Sequence, residues 1–379
     1  MAGTPMTQSL LSLLLLGMGY TTTTDEKCQK LLCFSMGQWY ELMAVAEQQG
    51  VLAIAVDGLQ VLMEAHKEDI VAVKESPAEW QLWLLENIGQ LTQYEMMNHQ
   101  QRKVIAELSE MWAAEGIRMM VFKGQANAAF YPKPEHRAVG DIDCWLFGDA
   151  EKGDNIMKDH GAGVDFNWYR HSKISFQDET IENHRVMSHT RGNKKHQKME
   201  EELRQMAKES LNHKVDHYLE GCGKALKASA QFNACFLTYH GLHHFTSEGL
   251  RLKQILDWAM FLQKEQDEVD WNAYWDFCRK YKLDRFAAVM NYIAMHFLNV
   301  DFNANYNEND VSVLAENVLR STLYDDDYLF NSGKSDWMVR WSLVKNMFTR
   351  DRWKYRDIAQ KTVWLQLWQN VTGFMFDKD

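Results

Sequence analysis

Proline is scarce in this chain. There are 4 in 379 residues, at Pro5, Pro77, Pro132 and Pro134, and none follows Pro134. Proline removes a backbone donor and breaks helix interiors, so its absence leaves the rest of the chain free to form long helices. The six cysteines (Cys28, Cys33, Cys144, Cys222, Cys235 and Cys278) form no CxxC pair. That excludes a zinc ribbon and leads us to expect reduced, buried thiols in a cytoplasmic protein. A membrane-length apolar run is also lacking. The longest, Leu10 to Leu16, falls well short of the roughly 20 residues a spanning helix needs. It has no Lys or Arg before it and no small-x-small cleavage site after it, so it is expected as a buried N-terminal helix rather than a signal or an anchor. Positive charge is in deficit: 41 Lys and Arg face 52 Asp and Glu, for a net charge of −11. A long nucleic acid is therefore an unlikely partner, because coating phosphates needs a cationic footprint. One local phosphate pocket stays compatible with that balance. Neither GxxxxGK[ST] nor GxGxxG occurs, which removes the P-loop and the dinucleotide fingerprint.

What is present is an ordinary globular composition, 46% hydrophobic and 25% charged, at a length that suits two or three domains. Apolar residues recur at three- and four-residue spacing over Trp39 to Met63, with a break near Gly50, and over Glu79 to Gly116, where Gly116 ends the pattern as a C′ glycine would. The character then changes. Ile117 to Phe122, Asp141 to Phe147, Val164 to Tyr169, Lys173 to Phe176 and Thr180 to Val186 are strand-like by length and flanks. Helical spacing returns from Lys195 and continues through Ala225 to Phe245, Leu250 to Gln263, Trp271 to Tyr281 (with Asp270 as N-cap), Arg285 to Leu298 and Val311 to Tyr324, before Trp337 to Phe376 closes the chain. The expected class is α+β in three parts: a helical region over 1–115, a small mixed-sheet unit over 116–192 and a second helical region over 193–379. The 14 tryptophans and 21 methionines suit packing between helices.

The chemistry-bearing string is VFKGQANAAFYPKPEHRAVGDIDCWL, from Val121 to Leu146. In DID on a strand, Asp141 and Asp143 project to one face and Ile142 to the other. Two carboxylates so close repel each other, and a divalent cation with oxygen preference relieves that repulsion. Lys123-Gly124 lies between a strand and a short helix, where a glycine lets the backbone approach a phosphate, and Lys123 and Arg137 add positive charge.

A strand, a glycine turn, a short helix and a strand bearing D-x-D resemble the DNA-polymerase-β-type nucleotidyltransferase superfamily. The longer string KG…AFYPKPEHRAVGDID resembles, more narrowly, the family of uncharacterised nucleotidyltransferases. LHHFTSEGLRLKQILDWAMFLQ (Leu242 to Gln263) and VDWNAYWDFCRKYKL (Val269 to Leu283) are similar to that family's C-terminal pattern. The resemblance implies a minimal nucleotidyltransferase mixed sheet between helical flanks. It implies two Mg²⁺ ions, or Mn²⁺ in their place, on Asp141, Asp143 and a third carboxylate. IENHR (Ile181 to Arg185) resembles the later strand that supplies it, so Glu182 is the candidate, with His184 beside it; Asp178 and Glu179 are alternatives. Lys123, Gly124, Gln125 and Arg137 would bind the nucleotide. The implied activity moves a nucleoside monophosphate from an NTP to an unidentified small-molecule or protein acceptor, with pyrophosphate leaving. The rival expectations are a nucleotide-binding module without turnover and a helical interaction protein.

Other features have plainer expectations. His240, His243 and His244 are expected as packed core histidines rather than zinc ligands. Arg251 and Asp257 match the family's helical motif but are expected as helix–helix pairs. Arg191 to Lys198 (RGNKKHQK) is expected as a solvated basic loop.

Overall fold

The computed structural model describes residues 5–167, 169–188, 194–211, 218–302, 311–324 and 336–368. Six helices precede the sheet: α1 (Pro5–Met18), α2 (Glu26–Gln29), α3 (Met36–Gln48), α4 (Leu52–His66), α5 (Val71–Glu75) and α6 (Pro77–Ala114). The apolar run Leu10 to Leu16 is buried within α1. A capping box between Ser35 and Gln38 starts α3. Pro77 opens α6, where a missing N–H costs nothing. The helix then runs unbroken to a Schellman close: Gly116 donates to the Ala113 carbonyl, Ile117 donates to the Trp112 carbonyl, and Gly116 takes φ 76°.

The sheet unit follows as β1 (Met120–Val121), α7 (Gln125–Ala128), β2 (Ile142–Trp145), α8 (Ala150–Asp159), β3 (Gly163–Asp165), β4 (His171–Phe176), β5 (Glu179–His184), α9 (Lys194–Glu209) and β6 (Leu226–Lys227). Strand order is β3-β4-β5-β2-β1-β6. The β2–β5 and β1–β6 pairs are parallel and the other neighbours antiparallel. The helical remainder comprises α10 (Ala230–Ser247), α11 (Leu252–Glu265), α12 (Trp271–Tyr281), α13 (Asp284–Phe297), α14 (Ser312–Tyr324) and α15 (Asp336–Phe348). The Asp270 carboxylate caps α12 by accepting from the Asn272 and Ala273 amides at 3.0 Å.

The chain is thus α+β, with helical flanks on a mixed sheet. Expected element bounds shift in detail, most clearly at two places. The strand expected over Ile117 to Phe122 contracts to two paired residues. The stretch from Ala225, expected as helix, begins with the two-residue β6, which extends the sheet by pairing with β1. Two residues carry no periodicity, so only the tertiary partner reveals such a strand. Five cysteines are buried as expected, and Cys33 is exposed. No described helix is long and apolar enough to cross a membrane.

The sheet separates two packing layers. Val121, Ile142, Cys144 and Ile181 face Val104, Ile105, Leu108 and Trp112 of α6 and Met157 of α8. Met120, Phe122 and Trp145 look the other way, into the larger core that includes Phe232 and Phe236 of α10. Alternation along β2 and β5 therefore sends Ile142 and Ile181 into the first layer and Asp143 and Glu182 to the second side.

Candidate active site

Register builds the centre. In the parallel pair β2–β5, Asp143 stands beside Glu182 and Trp145 beside His184. In the hairpin β4–β5, Lys173 stands opposite Glu182 and His171 opposite His184. One face therefore carries Asp143, Glu182 and Lys173 in one row and His184 and His171 in the next. Asp141, one residue before β2, belongs to the same side by i,i+2 alternation.

The contacts follow from that grid. The Lys123 ammonium forms an ion pair with Asp143 Oδ1. His184 Nε2 lies 2.8 Å from the same oxygen, and its Nδ1 lies 3.2 Å from the Val186 carbonyl oxygen. Glu182 Oε1 is 3.3 Å from His171 Nε2 and 3.7 Å from Lys173 Nζ, while Oε2 is 3.5 Å from His184 Nε2. Burial opposes ionisation of Asp143, but the Lys123 charge and the His184 hydrogen bond outweigh it and hold the carboxyl well below the usual range. Burial likewise pushes Glu182 up, yet His184 and His171 bring it below its ordinary value. Asp141 goes the other way. Desolvation and the neighbouring Glu182 and Asp143 charges raise it. Burial lowers His171 to about 4, against the pull of Glu182.

In front of the row lies a cavity of about 770 Å³. Asp141, Asp143, Glu182 and Lys123 border it on the sheet side, and Arg251 and Lys253 of the α10–α11 region border it opposite. Gly124 closes the turn between β1 and α7 at φ 53° and ψ −111°, a conformation that a side chain strains. A Cβ there would also lie 3.5 Å from the Asp141 carbonyl oxygen. The Phe122 amide, just before the turn, donates to the Asp143 carbonyl at 3.4 Å and ties the turn to the D-x-D strand.

The structure brings Asp141, Asp143, Glu182, Lys123 and Gly124 together at the cavity. The three candidate third carboxylates lie in different places. Asp178 sits in the β4–β5 turn at φ 64°. Glu179 has the parity of Ile181, on the opposite face, where Gln101 of α6 donates to it at 3.3 Å. Of the three, Glu182 is the one paired with Asp143 across β2 and β5.

Two of the expected nucleotide-binding side chains have protein partners. Arg137 is buried and committed: its Nε and Nη2 donate to the two oxygens of Asp257 at 3.0 and 2.7 Å, and Nη1 donates to the Ala138 carbonyl at 3.0 Å. Its guanidinium ties the loop to α11, and the residue also borders the cavity. The Gln125 side chain is also spent, donating to Asn98 Oδ1 at 2.8 Å and accepting from Arg102 Nε at 3.1 Å. Only its main chain borders the glycine turn. Asp257, expected in a helix–helix pair, takes its arginine from a loop instead.

The histidine triplet on α10 splits. His240 and His244 meet, Nε2 to Nε2, at 3.1 Å, and His244 Nδ1 lies 3.3 Å from Glu248. His243 stacks on Tyr239. Among the described residues, the trio with metal-ligand proximity is His171, Glu182 and His184 instead. Of the basic island Arg191 to Lys198, residues 191–193 lie outside the described residues; from Lys194 it is the start of α9 rather than a loop.

Sequence reasoning missed His171, Lys173 and Lys253. A signal for the first two existed. Gln177 and Asp178, both at positive φ, make a two-residue hairpin turn that sets His171 against His184 and Lys173 against Glu182. Lys253 lies far from the D-x-D strand in sequence, and no local pattern marks it.

The model of the uncharacterised nucleotidyltransferases matches residues 35–299, more than half of the chain. The chain belongs to this family. Neither a curated protein nor a solved structure matches it. The match spans α3 to α13, so it includes the whole sheet, the carboxylate row and the helices α10 and α11 beside the cavity.

Proposed function

We propose that this family member transfers a nucleoside monophosphate from an NTP to a small-molecule or protein acceptor, using Asp141, Asp143 and Glu182 as the cation-holding carboxylates. The observation that carries this reading is the pairing of Asp143 with Glu182 across β2 and β5, at the edge of the cavity and beside Asp141. The donor set fits a hard divalent cation. Asp141 is exposed to the cleft, and two neighbouring carboxylates resist its ionisation, which is the environment a cation relieves. Bound Mg²⁺, or Mn²⁺, supplies Lewis-acid charge for an in-line two-metal displacement with pyrophosphate leaving.

The chain's own groups do the rest. Lys123, paired with Asp143 at the edge of the cavity, is the cation placed to meet incoming phosphates. Gly124 leaves the main chain open to close approach. His184 fixes the Asp143 carboxylate from behind through Nε2. Lys253, lowered to about 8 by burial and by Arg137, adds positive charge on the opposite wall.

The test is pyrophosphate release from ATP, CTP, GTP and UTP with Mg²⁺ and candidate acceptor pools, run beside calorimetry of NTP binding. Release that disappears in Asp141→Asn supports transfer. The Lys123–Asp143 ion pair favours one second reading, a module that binds nucleotide without turnover, because a carboxylate kept by lysine cannot also hold a cation at that oxygen. Binding without release against every acceptor would select it. Neither binding nor release would reject both.

A further inference from the structure

We infer that the chain carries a nitrogen-ligated divalent-cation site, formed by His171, Glu182 and His184, that takes a borderline first-row ion such as Zn²⁺ in preference to Mg²⁺. The site goes beyond nucleotidyl transfer and does not depend on it, although it shares Glu182 with the carboxylate row.

Geometry argues first. One ligand atom from each of the three residues lies within 4.8 Å of the others, a separation that a cation closes with small side-chain movements. All three sit on paired strands, so register rather than a loop holds them: His171 faces His184, and Glu182 is two residues from His184. Both histidines are almost completely buried. The hydrogen-bond pattern points the same way. The His184 Nδ1–H donates to the Val186 carbonyl, which leaves Nε2 facing carboxylate oxygens of Asp143 at 2.8 Å and Glu182 at 3.5 Å. A cation bound there would take the place of the Nε2 proton that is otherwise shared with Asp143. A backbone carbonyl on the far nitrogen is also how metal-binding histidines are commonly oriented.

Chemistry then selects the ion. Two imidazoles and one carboxylate suit Zn²⁺, Co²⁺ or Mn²⁺, whereas Mg²⁺ prefers oxygen throughout. Three protein ligands would leave coordination positions open, and of the three residues Glu182 borders the cavity together with Asp143. Lys173 approaches Glu182 Oε1 at 3.7 Å, but its side chain is 37% exposed and has solvent to move into.

The experiment uses the full chain, stripped with chelator and without nucleotide, then equilibrated with Zn²⁺ or Co²⁺ in excess Mg²⁺. One Zn²⁺ per chain is expected to remain, and Co²⁺ is expected to give the strong visible absorption of a low-symmetry nitrogen-containing site. His171→Gln should weaken Zn²⁺ binding by about tenfold or more, while His240→Gln, at the other histidine pair, should not. If His171→Gln fails to fold, pulsed electron paramagnetic resonance of the Mn²⁺-loaded wild-type chain decides by the presence of histidine-nitrogen coupling. Displacement of Zn²⁺ by Mg²⁺, no nitrogen coupling, or equal Zn²⁺ affinity in His171→Gln would overturn the site. Asp141→Asn separates this outcome from the previous section, because it should abolish pyrophosphate release and leave Zn²⁺ in place.

Discussion

Asp143 and Asp257 are both buried, both paired with a cation, and both held below the usual carboxylate range against the opposing effect of burial. Their surroundings differ in one respect that separates structure from chemistry. Asp257 is saturated. Oδ1 accepts from Arg137 Nε at 3.0 Å and Tyr131 Oη at 2.8 Å, and Oδ2 accepts from Arg137 Nη2 at 2.7 Å and Asn127 Nδ2 at 2.9 Å. Two donors per oxygen fill a carboxylate's capacity. At Asp143 both contacts, from Lys123 and His184, fall on Oδ1, and two further carboxylates stand beside it. A saturated buried carboxylate joins α11 to the loop before β2. A half-used one among like charges, at the mouth of a cavity, is arranged to receive something. Arg137 belongs to the first kind of centre although its position in the sequence suggested the second.

Four substitutions would break or sharpen this contrast. The largest effect is expected from Asp143→Asn, which should lower pyrophosphate release on the order of 10³-fold, as for loss of a principal electrostatic group, while circular dichroism stays native. If release survives, Asp143 is as structural as Asp257. Next is Asp257→Asn, which leaves the Arg137 charge buried with one neutral acceptor. A loss of about 3–5 kcal/mol in denaturant unfolding is expected, and the double variant Arg137→Met with Asp257→Leu should recover much of it. The pH dependence has a definite sign. Because Arg137 lowers the folded-state pKa of Asp257, its stabilisation is present above the unfolded carboxylate value of about 4 and is lost as pH falls below it. Acid unfolding of Asp257→Asn should therefore be less steep than that of the wild type.

Gly124→Ala comes third. Its φ of 53° should cost about 1–2 kcal/mol in stability, and calorimetry should show weaker NTP binding beyond what the lower melting temperature explains. The smallest effect on stability is expected at Asp141. Its carboxyl is raised in the folded chain, so its ionised form opposes folding at neutral pH and stability rises as pH falls through the raised value. Asp141→Asn should lift stability by at most about a few tenths of a kcal/mol, since the group is solvent-exposed, and yet remove turnover. A thermal melt that moves downward would place Asp141 with Asp257 instead.

Much of the centre was legible in the residues. D-I-D gave two carboxylates on one face because strands alternate. IENHR put Glu182 and His184 on one face for the same reason, and the positive φ at Gly124 matches the turn expected at Lys123-Gly124. The destinations of the arginine and the glutamine were not legible. Arg137 meets Asp257 of α11, and Gln125 is absorbed by Asn98 and Arg102 of α6. No local rule states which distant helix will pass near a loop. His171 was half legible, since the Gln177-Asp178 turn sets its partner, but its meaning depends on β5 lying next to β2.

By itself, then, the sequence determined what is periodic or local: the long proline-free helices, the capped ends, the strand faces, the glycine turn and the charges each face would bear. The tertiary structure alone decided which of those charges are satisfied. Whether a buried ion becomes a tether or a working group depends on how many donors arrive from elements far away in the chain, and that number is set by packing geometry, not by neighbours in sequence.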